Sequence, residues 1–236
     1  MQKKFNIILY LTIILLFYSC TPVNESIERE EKRELIQEFW ENGERKSECW
    51  AIKDPVTGEW IRDGKEVLYY ENGAVEQVGY WEKDLKTGTW INYNPDGNKC
   101  IELTFYNDKE NGYWKKWYES GILEEQVLFV NGQKHGSFNT FYENGSKQLQ
   151  GQFENGLENG EWFLWYQNGQ MQYEGYYKSG KKTGIWRWYY LEGKKMIEGE
   201  YKNDLEEGKW IAWFRNGQIA SVIEYSLNTT GKYQQK

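Results

Sequence analysis

The chain of 236 residues is poor in histidine, cysteine and proline, with one, three and three of these residues respectively. A zinc site built on several histidines therefore cannot be assembled, and a Ser-His-Asp triad would have to use His135, which lies in a predicted surface turn. Aromatic residues at 18% and 24 glycines favour strands and tight turns over helices or disorder. We therefore expect an all-β protein that is not an enzyme and has no catalytic residues, metal or cofactor.

The chain also has fewer basic than acidic residues, 29 against 36, and its net charge is −7. Binding to duplex nucleic acid or to an anionic membrane surface requires clustered Lys and Arg side chains. We expect no nucleic-acid partner.

One long apolar run is present, Phe5–Tyr18, and it follows Lys3 and Lys4. This arrangement is typical of an export signal, and the run is short for a bilayer span, which needs about 20 residues. The segment ends in Ser19-Cys20, which resembles the lipobox of bacterial lipoproteins. Residues 1–20 are thus predicted to be a lipoprotein signal peptide, with Cys20 lipidated and anchoring the protein to the outer or cytoplasmic membrane of a bacterial cell envelope. Ordinary secretion and an uncleaved anchor are the alternatives.

Two polar segments flank the rest of the chain. Residues 21–35 carry many charges and few apolar side chains, so they are predicted to be a tether; a short helix over Ile27–Glu38 is the alternative. Residues 226–236 are predicted to be a polar tail that covers the last strand edge or frays.

A repeated pattern occupies residues 36–225. Gly160–Gly169 reads Gly-x-Trp-x-x-aromatic-aromatic-x-Asn-Gly, and the pattern begins again every 24 residues. A degenerate unit ending at Gly43 precedes the regular ones, as expected for a capping repeat. The seven in-phase units begin at Gly64, Gly88, Gly112, Gly136, Gly160, Gly184 and Gly208.

Each unit is predicted to be a β-hairpin. The first strand carries the aromatic pattern and closes, in four units, at an Asn-Gly turn, where both residues tolerate positive φ. The second strand alternates apolar and polar side chains, which gives the sheet one aromatic face and one wet face. A glycine that makes room for a neighbouring ring, or kinks the strand, recurs on the aromatic face at Gly79, Gly151, Gly175 and Gly199.

The full pattern, Tyr/Phe-x-x-Gly-x-x-x-Gly-x-Trp-x-x-Tyr-Tyr-x-Asn-Gly, resembles the MORN repeat. Its length and its Asn-Gly turn resemble the bacterial variant form, which is found in proteins often catalogued as antitoxin-like. The resemblance covers residues 36–225 and implies an elongated, single-layer antiparallel sheet of tandem hairpins with rings packed between neighbours. With strands about 4.8 Å apart, the regular units would extend roughly 70 Å. At that spacing Cys49 and Cys100 lie too far apart for a disulfide.

The aromatic columns are the candidate binding site. Their rings either form the core or leave part of the face open as a groove for sugar rings, peptides or cations. The candidate binding face comprises Trp90, Trp114, Trp117, Trp162, Trp165, Trp186, Trp210 and Trp213.

We therefore expect an envelope-tethered, non-enzymatic scaffold that binds a protein or peptide, with an antitoxin-like or immunity role as one version. The alternative is a glycan-binding or cell-wall-binding module that uses the aromatic face.

Overall fold

A computed structural model describes residues 32–227 and 233–235, with side chains through residue 226. The predicted signal peptide, most of the predicted tether and most of the predicted tail lie outside these residues. The described part is all-β, as the sequence predicts, and it contains strands and turns without a helix.

Nineteen strands in the described residues form one antiparallel sheet. They are β1 (Glu34–Phe39), β2 (Arg45–Lys53), β3 (Trp60–Tyr69), β4 (Val75–Glu82), β5 (Leu85–Tyr93), β6 (Lys99–Tyr106), β7 (Lys109–Glu110), β8 (Gly112–Trp117), β9 (Leu123–Val130), β10 (Gln133–Phe141), β11 (Lys147–Glu154), β12 (Leu157–Glu158), β13 (Gly160–Trp165), β14 (Met171–Lys178), β15 (Lys181–Tyr189), β16 (Lys195–Lys202), β17 (Leu205–Trp213), β18 (Ile219–Leu227) and β19 (Tyr233–Gln235).

The sheet is open and its strands pair in chain order. Each strand pairs with the next one, with two exceptions. The short strands β7 and β12 continue in β8 and β13 as interrupted strands, so that β6 pairs with both β7 and β8, and β11 pairs with both β12 and β13. The competing helix over Ile27–Glu38 is not formed in the described residues, because Glu34–Phe39 is a strand paired with β2. At the start of β1, Arg33 Nε lies 2.8 Å from a carboxylate oxygen of Asp63, which is 6% exposed.

The Asn-Gly turns of the repeat have a different geometry from the expected one. In Asn72-Gly73 only the glycine has positive φ, and Gly73 N–H donates to Tyr70 O over 2.9 Å. Asn72 Oδ1 accepts a hydrogen bond from Ala74 N–H over 3.0 Å, so the asparagine stabilises a longer turn with a bulge. Turns with positive φ at both central residues lie at the opposite ends of the hairpins, as at Asn131-Gly132 and Asn155-Gly156.

The recurring strand glycines make room for indole rings. A Cβ built on Gly175 would lie 2.1 Å from Cδ2 of Trp186, closer than any real contact. The same overlap would occur in three more units, between Gly79 and Trp90, Gly151 and Trp162, and Gly199 and Trp210. The prediction of space for a ring is therefore confirmed.

We call the face that carries these indoles the ring face, and the opposite face the outer face. On the ring face, the rings of successive hairpins touch edge to face. Tyr177, for example, lies 5.7 Å from the Trp162 ring centre and 5.1 Å from that of Trp186. Such pairs add about 0.5–1.5 kcal/mol each beyond their buried area, so the core of this single layer is formed between neighbouring hairpins.

The second aromatic of each Tyr-Tyr-type pair links consecutive units by a hydrogen bond. Tyr166 Oη donates to the carbonyl oxygen of Tyr189, 23 residues later, over 2.9 Å. Equivalent bonds of 2.7–2.8 Å are donated by Tyr70, Tyr118, Tyr142 and Tyr190. This ladder was not predicted from the sequence.

Candidate functional site

The eight candidate tryptophans do not form one face. Trp162 and Trp165 are three residues apart in β13, and side chains at odd separations point to opposite sides of a strand. The prediction of a single tryptophan face was therefore wrong. Trp90, Trp114, Trp162, Trp186 and Trp210 lie on the ring face, and Trp117, Trp165 and Trp213 lie on the outer face.

Most of the ring-face indoles are core residues. Trp90, Trp162 and Trp186 are only 1%, 5% and 2% exposed, whereas Trp114 and Trp210 are half-buried. A sugar or peptide cannot stack on the three buried indoles without unpacking their neighbours.

A groove interrupts the ring face between two of the candidate tryptophans. Its volume is about 250 Å³. Apolar walls and three polar side chains line it: Trp90, Ile101, Leu103, Phe105 and Trp114, with Gln77, Lys86 and Asn92. The half-buried Trp114 indole is thus the more accessible of the two candidate indoles that line this groove.

Two short amides face each other in the groove, at positions where one other unit carries an aromatic pair. In the register of the sheet, Gln77 faces Asn92, and the equivalent residues four units later are Tyr173 and Trp188. Leu103 adds to this departure, because it stands in the column where glycine admits an indole elsewhere. The column that contains Asn92 varies from unit to unit, with Lys116, Thr140 and Leu164 at the equivalent positions, so the sequence alone does not locate the groove.

The polar groups of the groove are only partly satisfied. Gln77 Nε2 donates to Asn92 Oδ1 over 3.0 Å, which leaves Asn92 Nδ2 and Gln77 Oε1 without a partner among the described residues. Lys86 Nζ lies 4.3 Å from the Trp90 ring centre. This ammonium has a structural counterpart, because Lys182 Nζ lies 4.7 Å from the Trp186 ring centre in a unit that has no groove.

The outer face carries charge networks toward the turns between the two strands of a hairpin. Arg187 lies between Glu174 and Glu198, at 3.2 and 2.7 Å. Hydrogen bonds from Lys195 and Arg187 hold the pKa of Glu198 below its usual value. Burial, followed by the hydrogen bond to Glu174, raises the pKa of Tyr189 to about 12. These networks join neighbouring hairpins and keep this face of the sheet hydrated.

A patch of uncharged side chains lies elsewhere on the outer face, bordered by Lys65 and Lys109, which face Tyr80 and Tyr106 across the strands. It spans β4 to β9, and four of its side chains are large and exposed, with Tyr80 at 45%, Tyr106 at 63%, Tyr113 at 42% and Val130 at 41%. We call this set the tyrosine patch, and its members are Tyr80, Thr104, Tyr106, Tyr113, Leu128 and Val130. Each follows or precedes a ring-face residue in its strand, which places it on the outer face.

A further signal missed in the sequence is an alternation between odd and even units. Two residues after the glycine of the turn within each hairpin, lysine alternates with an apolar residue from unit to unit, and each lysine lies over an outer-face indole of the next unit. Lys147 Nζ, for example, lies 5.9 Å from the Trp165 ring centre. The alternating residues are Lys99, Leu123, Lys147, Met171, Lys195 and Ile219, so the structural period is two units.

Within residues 32–227 and 233–235, no three His, Cys, Asp or Glu side chains cluster closely enough to hold a metal ion. In the same residues there is no helix that is long and apolar enough to cross a membrane. Cys49 and Cys100 are free thiols, and burial raises the pKa of Cys49 to about 11.

One open antiparallel sheet of hairpins, with a core made of rings between neighbours, defines a β-hairpin repeat protein. A family model described as MORN repeat variant matches it six times, and the chain belongs to this family. Such repeats suggest a scaffold, typically for proteins or membranes, and the family is generally non-enzymatic. The matches cover residues 62–83, 110–131, 134–155, 158–179, 182–203 and 206–226.

The matches leave a gap at the groove. Residues 84–109 lie between the first two matches, and this interval holds Lys86, Trp90, Asn92, Ile101, Leu103 and Phe105 of the groove lining. Most of the groove lining therefore belongs to a regular unit that the family model does not match.

No curated protein matches the chain. Among solved structures, the crystal structures of TcdB2-TccC3-Cdc42 and of TcdB2-TccC3 are 12% identical in the aligned parts, with TM-scores of 0.22 and 0.21. They cover 84% and 82% of this chain, which spans only 12% of each of those chains. At this similarity they carry no argument about fold or function.

Proposed function

We propose that this protein is a non-enzymatic, envelope-tethered scaffold that binds a protein partner through the tyrosine patch. The observation that supports the proposal is a cluster of exposed Tyr and Val side chains, with half-buried Thr and Leu between them, on a face that is otherwise crossed by ion pairs. Family membership supports a scaffold role in general, and the exposed tyrosines support the patch as its contact surface.

The composition of the patch suits a protein partner. Tyrosine offers a large, rigid ring with a polar end, and it is enriched among the residues that dominate protein interfaces. The patch crosses four strand spacings from β4 to β9, about 19 Å. This is the extent expected for the centre of an interface with a polar rim, since ion pairs such as Lys115–Glu102 lie beside it.

The second candidate, glycan binding by the tryptophan columns, is less well supported. Three of the columns' indoles are buried in the core, and stacking on a sugar ring requires an exposed aromatic face.

The tether is proposed from the sequence. Diacylation of Cys20 would give stable membrane attachment, because more than one acyl chain is needed for a lasting anchor. Cys20→Ser is expected to release the protein from membrane fractions and to remove the acyl mass from the mature N-terminus. Retention of the variant in membranes would contradict a lipid anchor.

The patch is tested by a matched pair of variants. Cross-linking and capture from the native envelope would use the full chain, the double variant Tyr106→Ala/Tyr113→Ala, and Tyr176→Ala as the control. Tyr176 is an outer-face tyrosine with the same 42% exposure as Tyr113, but it lies outside the patch. We expect one protein to be captured by the wild type and by the control and to be lost with the double variant.

Equal capture by all three proteins would contradict binding through the patch. The antitoxin-like version makes a narrower statement: the captured partner would be a toxic protein met outside the cytoplasm, and co-expression would neutralise it. A captured protein without toxicity would exclude that version and leave the scaffold intact.

A further inference from the structure

The groove lies where another unit of the same chain holds an indole. Trp188 occupies the strand position four units after Asn92, and its ring lies 5.8 Å from the Trp186 ring centre and 5.9 Å from that of Trp210. Tyr173, across the strand pair from Trp188, lies 5.6 Å from Trp186. In that unit, three indoles and a phenol ring form one continuous stack.

The groove repeats this arrangement without its two central rings. Trp90 and Trp114 take the places of Trp186 and Trp210, while Asn92 and Gln77 take the places of Trp188 and Tyr173. Trp114 makes no aromatic ring pair among the described residues, in contrast to Trp210, which pairs with three rings. The walls of an indole-sized slot are therefore present, and the side chains between them are short amides.

We propose that this groove binds a planar aromatic ring, namely a Trp or Tyr side chain presented by a protein partner. The proposal rests on the proposed function, since it gives the partner a ring to insert on the ring face while the tyrosine patch contacts it on the outer face. The ring would take the place that Trp188 takes in its own unit, between the indoles of Trp90 and Trp114.

The size of the groove agrees with this occupant. An apolar cavity of about 150 Å³ in another protein accommodates benzene, and the groove, at about 250 Å³, has room for a bicyclic ring. Offset or edge-to-face contacts with Trp114 and Phe105 would add to the apolar contact with Ile101 and Leu103.

The amides give the groove a preference among rings. Asn92 Nδ2 can donate to a phenol oxygen or to a carbonyl oxygen of the partner's backbone, and Gln77 Oε1 can accept from an indole N–H. A ring with a polar group at its edge, as in Trp and Tyr, satisfies them, whereas the ring of Phe does not. We therefore expect indole and phenol probes to bind more tightly than toluene.

Asn92→Trp is the decisive variant, because the chain already shows that tryptophan fits this register. The new indole would fill the groove as Trp188 fills its own unit, and the variant should fold with an unchanged or higher Tm. Titration of the full chain with indole and N-acetyltryptophanamide, followed by NMR of the tryptophan indole N–H signals, measures binding. We expect saturable binding by the wild type and at least about a tenfold loss of affinity, roughly 1.4 kcal/mol, in Asn92→Trp.

Two more proteins make the test specific. Trp188→Asn should open an equivalent slot between Trp186 and Trp210 and raise the number of bound probe molecules from one to two; circular dichroism checks that it is folded. Tyr106→Ala/Tyr113→Ala should bind the probes like the wild type, because the patch lies on the other face. Failure of partner capture and failure of ring binding are therefore distinguishable.

Probe binding that is equal in the wild type and in Asn92→Trp would overturn the assignment, as would the absence of binding at millimolar probe. Tighter binding of methyl glucoside or N-acetylglucosamine than of indole, abolished by Asn92→Trp, would also overturn it and make the groove a sugar site.

Discussion

At the scale of single residues, the ring face is built from matched pairs of a small residue and a ring. Gly175 lies under Trp186 with no room for a methyl group, whereas Val127, in the equivalent column, pairs with the smaller ring of Phe138. Both of these residues are buried, at 1% and 8% exposure. The volume of one strand residue is thus compensated by the ring of the next strand.

Gly175→Ala is expected to destabilise the protein by about 1–3 kcal/mol, because the new methyl group overlaps the Trp186 ring and forces it out of its packing. Urea unfolding followed by fluorescence measures the change. Adding Trp186→Phe to Gly175→Ala should cost less than the sum of the two single changes, as the Val127–Phe138 pair indicates. Strict additivity would show that the glycine is required for another reason.

The buried tyrosines are expected to lower the free energy of unfolding at high pH. Burial between indoles raises the pKa of Tyr177 to about 12, above the value of about 10 in an unfolded chain. The folded state thus favours the neutral phenol, so this contribution is fully present below pH 10 and is lost as the pH rises from about 10 to 12. We expect the urea midpoint to fall over that range, and to fall less in Tyr177→Phe. The same fall in both proteins would contradict a role for Tyr177.

At the scale of the elements, hairpins are joined by side chain to backbone bonds that sheet pairing alone does not require. The hydroxyl of Tyr166 bonds the end of the first strand of the next unit at Tyr189, close to the turn where strand pairing stops. The turn asparagines also donate hydrogen bonds to the next unit. Asn168 Nδ2, for example, donates to Leu191 O over 3.3 Å. These bonds fix the spacing of neighbouring turns, which the strands by themselves leave free.

Tyr166→Phe is expected to cost about 0.5–1.5 kcal/mol, because it removes one such bond and leaves the ring in place. Tyr176→Phe is the matched control, since the Tyr176 hydroxyl has no hydrogen-bond partner among the described residues. Chemical unfolding of both variants makes the comparison. A cost that is equal for the two variants would argue against the ladder.

At the scale of the whole molecule, the lysine and apolar residues after the turns repeat every two units. In an array where each unit contacts only its neighbours, stability is a sum of unit and interface contributions. The interfaces between units alternate in chemistry. Lys147 lies over the Trp165 ring of the next unit, whereas the equivalent residue one unit later is the uncharged Met171, which pairs with Trp165 inside its own hairpin. Removing one unit therefore creates an interface that the natural chain lacks.

Deleting residues 160–207, two units, should leave a protein that unfolds at a temperature at least as high as one lacking only residues 160–183. The longer deletion places Trp213 next to Lys147, which restores the natural lysine–indole contact. The shorter one places Tyr189 there and brings Lys147 and Lys195 into adjacent units. Thermal unfolding followed by circular dichroism compares the two, and a clearly higher Tm for the single-unit deletion would contradict the two-unit period.

Sequence alone determined the all-β hairpin array, its period and the function of the strand glycines, because these follow from local rules: alternation in a strand, turn chemistry and the size of a ring. Tertiary structure decided which indoles are buried, that Trp162 and Trp165 serve opposite faces, and where the ring stack opens at Asn92. Those properties depend on which residues of neighbouring hairpins meet across the sheet. Bulges beside the turns shift that register, and the hydroxyl bond from one unit to the next fixes it, so contacts between units settle what the repeat pattern of one unit leaves open.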